Sequence, residues 1–341
     1  MNALRISLVI AVFAGPLFAE DKPPVKPTPP TPDQVLEGVR KFIKLAAKAD
    51  GSFQPGVDRD YEGMSDSAFS DIAPTAYAVI ISKTFGWKLP YEENTILFLH
   101  SRQREDGSFV NVAGTVDPNS AAGRAYNTTM AIVALKALGE KPKYDPLPVF
   151  DSVLTADYKT LPAYMTSFFP LAYRASGREI PAEADKKIRA LMEQDANGYL
   201  HEHVAATFHA AHYYRLTGRD TPKADAMVKR TLADQMADGS WVRNPLARDR
   251  HATFDAVFIL KQLGGTEASQ SAMDLAAFWS LTCRNKDGGF GHMPGSRSDM
   301  DACYFHIGTM VMSGFSKPVD PLPADAQLLG WGHLMGVVKG K

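Results

Sequence analysis

The chain has 341 residues, of which 45% are hydrophobic, 10% aromatic and 22% charged, with a formal net charge of -1. This composition excludes a disordered or fibrous chain, and the nearly balanced charge argues against nucleic acid as the main partner. Only Cys283 and Cys303 carry thiols, so disulfides cannot frame the fold.

Arg5 and the free amino terminus precede an apolar stretch from Ile6 to Ala14, which ends near Pro16, Leu17, Phe18 and Ala19. Charge, apolar segment and small residue in that order predict a secretory signal over residues 1–19 and an exported protein, periplasmic or extracellular. The stretch is much shorter than the roughly 20 residues of a spanning helix, so no transmembrane anchor is expected. Asp21 to Pro32 holds six of the 23 prolines and reads as an extended linker over residues 20–32.

From residue 33 the chain repeats. Gly86, Gly139, Gly177, Gly218, Gly264 and Gly314 recur at spacings of 38 to 53 residues. Eleven residues before each stands Thr75, Thr128, Thr166, Thr207, Thr253 or Cys303, within segments apolar on nearly all sides. Such segments predict buried helices, each closed by a glycine in the left-handed conformation. Between them lie one-sided patterns such as Val35, Leu36, Val39, Phe42, Ile43 and Ala46, which predict outer helices, with further ones near 91–102, 146–157, 182–194, 222–236 and 268–282. Four links open on Asp-Gly and an aromatic: Asp50-Gly51-Ser52-Phe53, Asp106-Gly107-Ser108-Phe109, Asp238-Gly239-Ser240-Trp241 and Asp287-Gly288-Gly289-Phe290. Six hairpins in a solenoid would expose apolar ends, whereas a closed ring buries them. The expected fold is therefore all-α, an α/α toroid over residues 33–316 with the apolar helices around a central cavity. The tail, 317–341, is expected to pack back through Leu328, Leu329, Trp331 and Leu334.

The runs from Gln103 to Phe109 and from Gln235 to Trp241, Gln-x-x-Asp-Gly-Ser-aromatic, resemble the repeat of prenyltransferase β-subunits and squalene/oxidosqualene cyclases. Counting each inner helix from the residue fifteen before its glycine gives heads at Asp71, Arg124, Pro162, His203, Asp249 and Asp299. Offsets 2, 6, 9 and 13 share one stripe, at about 100° per residue. The resemblance implies that the pocket is lined from offsets 0, 2, 3 and 6. In the first three repeats the stripe gives an aromatic and thioether wall of Tyr77, Tyr126, Met130, Tyr164 and Phe168, suited to a hydrophobic, isoprenoid-like ligand; packed core is the competing reading. In the last three it gives His209, His212, His251, Asp255 and Asp301, with Phe305 among them and Asp249 and Asp299 at the heads.

Two chemistries follow from that cluster. In protein prenyltransferases, the resemblance implies, Asp and Cys at offsets 0 and 2 of the penultimate repeat and His at offset 3 of the last hold zinc. Here those places carry Asp249, His251 and Ala302, with Asp301 and Cys303 beside the gap. Asp249, His251 and Asp301 are thus a candidate site for zinc or another divalent cation. Asp299-Met300-Asp301-Ala302 also resembles the Asp-x-Asp-Asp proton-donor motif of class II terpene cyclases. Asp301 stands at the donating position, and Asp299 beside it would raise one pKa of the pair. Those cyclases enclose substrate with a second helical domain, for which this chain leaves no residues. Asp255 with Asp301 offers a third possibility, paired carboxylates for glycoside cleavage. The catalytic candidates are therefore Asp255, Asp299 and Asp301. The alternative to an enzyme is an exported scaffold that binds a protein or envelope component. His201, Glu202 and His203 read as a helix entrance, and Cys283 with Cys303 as either a bridge or two free thiols.

Overall fold

The Asp-Gly links set the geometry of the whole ring, because each ties its own inner helix to the next outer helix. The computed structural model describes residues 29–156, 161, 165–192, 198–200, 203–244, 247–248 and 250–319. The signal segment, Tyr164, Asp249, His201, Glu202 and the tail beyond residue 319 lie outside these. The chain divides into Met1–Pro30 and Thr31–Lys341, and all that follows concerns the second unit.

Six outer helices, α1 (Pro32–Ala46), α4 (Glu92–Ser101), α6 (Leu147–Ala156), α8 (Ala182–Leu191), α10 (Ala224–Ala233) and α12 (Glu267–Thr282), alternate with six inner ones. These are α3 (Ala73–Thr84), α5 (Ala121–Ala137), α7 (Phe168–Ala175), α9 (Val204–Leu216), α11 (Arg250–Ile259) and α13 (Met300–Ser313). A thirteenth helix, α2 (Ser65–Phe69), lies in the link between α1 and α3 and has no counterpart in the repeat. Short antiparallel pairing joins β1 (Val242–Asn244) to β2 (Ala247–Arg248) before α11. No described helix is long and apolar enough to cross a membrane.

Sequence dictates the two classes of helix plainly. α1 buries Val35, Val39, Phe42, Ile43 and Ala46 on one face, and Thr31 with Gln34 closes its first turn in a reciprocal capping box. α13 is buried at every position from Met300 to Ser313. The inner helices pack in series, α3 on α5, then α7, α9, α11 and α13, and α13 returns to α3. The ring is closed.

Within each link a small hydrogen-bonded module recurs. The aspartate Oδ1 accepts the backbone N–H and hydroxyl of the serine two residues on, at Asp50–Ser52, Asp106–Ser108 and Asp238–Ser240. The aromatic that follows is buried, and its N–H donates to the repeat threonine: Phe53 to Thr75, Phe109 to Thr128 and Trp241 to Thr253, each at 3.1 Å. In the last repeat Cys303 replaces threonine, and its Sγ accepts from Phe290 N at 3.3 Å. Both cysteines are therefore free and buried, and no bridge joins them. Ser298 restores the hydroxyl that Gly289 lacks, donating to Asp287 Oδ1 at 2.7 Å. Gly107, at φ 87°, lies so close to the next outer helix that a Cβ would strike the Asp145 carbonyl, and a Cβ on Gly288 would strike that of Gly38 in α1. The last contact closes the outer layer as α13 on α3 closes the inner one.

Two boundaries differ from the sequence expectation. The fifth inner helix ends in a π-helical turn, Leu260–Gly264, so its left-handed residue is Gly265 rather than Gly264. One extra residue in the turn moves the cap by one position. The third inner helix starts only at Phe168, well beyond Pro162.

Candidate functional site

The inner helices enclose a cavity of about 500 Å³, within the range of ordinary small-molecule sites. Tyr77, Tyr126, Met130, Phe168, His209, His212, His251, Asp255 and Phe305 line it, together with Phe69, Ser167, His203, Phe208, Phe254, Tyr304 and Asp66. The expected division into an apolar half and an ionic half does not describe this wall. Aromatic rings run all the way round: Tyr126 meets Phe168 at 5.7 Å between centroids, Phe168 meets His209 at 5.5 Å and Phe208 meets Phe254 at 5.5 Å. Phe254 meets Phe305 at 5.0 Å, and Tyr77 meets Tyr304 at 4.5 Å. The reason lies at offset 5, where Phe208, Phe254 and Tyr304 add rings in the three repeats that had seemed polar from the stripe alone. That recurrence was visible in the sequence as an aromatic one residue before each stripe position.

Polar groups gather instead where the inner helices begin, around the link from residue 54 to 72. Two carboxylates at the start of α13 hold this link down. Asp299 caps the helix, its Oδ1 accepting from Asp301 N, while its Oδ2 accepts from Tyr61 Oη at 2.7 Å and Met64 N at 2.9 Å. Asp301 Oδ2 accepts from the backbone N–H groups of Asp66 at 3.0 Å and Ser67 at 3.3 Å. Ser65, between them, has the left-handed φ of 51°, a conformation that costs a residue with a side chain about 1 kcal/mol. The four anchoring bonds hold it there. The result carries Asp66 across the seam between α3 and α13 and onto the cavity wall.

Asp66 meets His251 from α11, with Oδ2 to Nε2 at 3.5 Å, and accepts the hydroxyl hydrogen bond of Tyr77 from α3. Burial alone would raise its pKa, but the His251 charge and hydrogen bond, aided by Tyr77, outweigh it and hold the Asp66 carboxyl below the usual range. Asp66, His251 and Asp301 each bring one ligand atom within 4.8 Å of the others. Of the expected metal set, His251 and Asp301 come together here, and Asp249 lies outside the described residues. Asp66 is the third group.

Behind this cluster a second one is wholly buried. His292, from the link before α13, places Nε2 at 3.2 Å from both Asp299 Oδ2 and Asp301 Oδ1. Burial and the neighbouring Asp301 push the Asp299 carboxyl up, against the pull of His292. Asp299 and Asp301 are both 0% exposed and stand behind α2, whereas Asp66 and Asp255 are the carboxylates on the cavity wall. Across the cavity, Ser167 Oγ and His209 Nδ1 are 2.8 Å apart, and burial lowers the His209 pKa to about 3, so this ring is neutral at pH 7. Cys303, buried beneath the cluster, has its thiol pushed up by burial and stays protonated.

Asp66, Tyr61 and His292 were missed because all three lie in links rather than on the inner helices. The signal for the first two was length: the link after Phe53 is far longer than the module needs, and carries Asp58, Asp60, Glu62 and Asp66.

The prenyltransferase alpha-alpha toroid domain family matches residues 28–136 and 120–332. Among solved structures, the type II terpene cyclase MstE from Scytonema is similar, with a TM-score of 0.55 and 15% identity over 88% of this chain and 100% of that one. A variant of it in complex with geranylgeranyl dihydroxybenzoate gives a TM-score of 0.53 at 14% identity, over 89% and 97% of the two chains. The Candida albicans protein geranylgeranyltransferase-I complexed with GGPP gives 0.52 at 11% identity, over 73% and 87%. No curated protein matches in sequence. Because the MstE chain is covered along its whole length, the expectation that such a cyclase must carry a second helical domain is not upheld.

Proposed function

The chain belongs to the prenyltransferase alpha-alpha toroid domain family, and on that premise we propose that it is an exported protein that binds an isoprenoid-like chain in the central cavity. We further propose that it acts on the end of that chain lying at Asp66, His251 and Asp301. The observation that carries this reading is the continuous ring of aromatic side chains around a cavity of about 500 Å³ that ends on a cluster of carboxylates and imidazole. Rings of this kind bury a flexible apolar chain with little entropy loss of their own. A cluster of titratable groups at one end gives such a ligand a fixed direction.

The donor set of one imidazole nitrogen and two carboxylate oxygens suits zinc or another divalent cation. Held by Asp66, His251 and Asp301, such an ion would act as a Lewis acid on a ligand oxygen. The chain's own residues do the rest. Tyr77 and the amides of Asp66 and Ser67 orient the two carboxylates, Phe305 stacks against His251 at 3.9 Å, and the aromatic wall excludes water. The same cluster is suited to holding a proton, shared among Asp299, Asp301 and His292 one layer back.

Binding of a C20 isoprenoid to the purified full chain tests the reading, with elemental analysis of the same sample for the cation. Saturable binding is expected, weakened about tenfold or more in Phe168→Ala, since truncating a buried ring removes roughly 1.5–3 kcal/mol of transfer free energy. Bound zinc, where present, is expected to be lost in His251→Ala. Absence of isoprenoid binding, or binding indifferent to Phe168, would remove the reading.

A further inference from the structure

Which isoprenoid enters can be argued from the charge of the polar end, and the argument rests on the cavity reading just given. We propose that the cavity takes an isoprenoid with an uncharged, hydrogen-bonding head, an isoprenoid alcohol, and discriminates against the diphosphate ester of the same chain.

Two carboxylates, Asp66 and Asp255, stand on the cavity wall, and Asp301 lies directly behind the first, within 4.8 Å between ligand atoms. Asp255 is only 3% exposed and Asp301 not at all, so their fields are poorly screened by solvent. The polar groups facing them are Ser65, Ser167, Tyr77 and histidines. Of these, His209 is neutral, and the charge of His251 is already matched to Asp66. The described residues of the wall therefore present fixed negative charge and neutral hydrogen-bonding groups. A diphosphate carries two or three negative charges and would need cationic partners to replace its water; set beside Asp66 and Asp255 it meets like charge in a region of low dielectric.

An alcohol meets the same surface favourably. Its hydroxyl can donate to a carboxylate of the wall and accept from the Ser167–His209 pair, which is two hydrogen bonds for one small dipole. The one hydroxyl is far cheaper to desolvate than a diphosphate, and the apolar tail is buried identically in both cases. The mouth thus sorts by head group, whereas the aromatic wall binds the tail.

The test compares geranylgeraniol with geranylgeranyl diphosphate for binding to the purified full chain by calorimetry, in buffer containing EDTA so that only the protein's own groups face the ligand. The alcohol is expected to bind at least tenfold more tightly. Equal or tighter binding of the diphosphate overturns the proposal and leaves the cavity reading intact, while failure of both to bind removes that reading and the proposal with it. Asp255→Asn, of the same size but without the charge, is expected to raise diphosphate affinity at least threefold and to change that for the alcohol by less than twofold. Diphosphate affinity unchanged in both Asp255→Asn and Asp66→Asn would show that the carboxylates do not repel it, and the proposal would fail.

Discussion

The outer rim and the cavity mouth of this ring obey opposite rules. At the rim one module repeats: an aspartate collects a serine, a glycine turns against the next outer helix, and a buried aromatic donates its N–H to a threonine of the inner helix. At the mouth no two repeats agree. Asp66 comes from an insertion in the first, His251 from the fifth, Asp301 from the sixth and His292 from a link. Where the repeats agree the residues fold the ring, and where they depart from one another they face the ligand. Even the last repeat shows this, since its departures at Gly289 and Cys303 are compensated by Ser298 and by the sulfur itself, leaving the module whole.

The comparison breaks most readily at the rim, where the largest effect on stability is expected. Gly107→Ala forces a side chain onto a φ of 87° and drives its Cβ into the Asp145 carbonyl. Left-handed strain of about 1–2 kcal/mol and displacement of packed backbone of about 1–3 kcal/mol together predict a loss of about 3 kcal/mol in urea unfolding. Isoprenoid affinity of the fraction that remains folded should be unchanged. A loss below about 1 kcal/mol would mean that the module does not fix the distance between neighbouring hairpins.

Acidification sharpens the comparison at the mouth, with a smaller effect. His251 and Tyr77 hold the Asp66 carboxyl below its unfolded value despite burial, so its contribution to stability is present above the ordinary carboxylate pKa and is lost as pH falls through the folded one. Asp299 has the opposite sign: burial and Asp301 raise it, so its contribution is complete below the ordinary pKa and is lost as pH rises through the folded value. Stability measured from pH 7 down to pH 3 should therefore fall less steeply in Asp66→Asn than in the parent chain. An identical slope would indicate that Asp66 is not ionised against His251.

Much of this was legible because it repeats. The glycines, the threonines and the Asp-Gly-x-aromatic links place twelve of the thirteen helices within a few residues, since a helix buried on all sides and one buried on a single face differ in composition as well as in period. The departures were less legible. Gly264 looked like every other cap, yet the π-helical turn before it hands the left-handed φ to Gly265. Helix α2 carries no amphipathic period, being five residues long, and its position follows from amides bound by Asp299 and Asp301 some 230 residues away in sequence. Among the site residues, those on the inner stripe could be placed by rotation alone. Asp66 and His292 could not, because a link has no period from which to infer the direction of a side chain.

The finest point of the comparison is Cys303, the one repeat position where sulfur replaces a hydroxyl. Threonine at this place would accept from Phe290 N as Thr75, Thr128 and Thr253 accept from their own aromatics. Cys303→Thr should therefore change stability by less than about 1 kcal/mol, the added methyl offsetting a stronger acceptor. Valine has the same shape as threonine and no acceptor, so Cys303→Val leaves a buried N–H unsatisfied and should cost about 1–3 kcal/mol. The difference between the two variants in urea unfolding isolates that one bond from the packing around it. Equal losses would show that the sulfur is mere filler and that the rim module ends one repeat early, leaving α13 to be held in place by its mouth carboxylates alone.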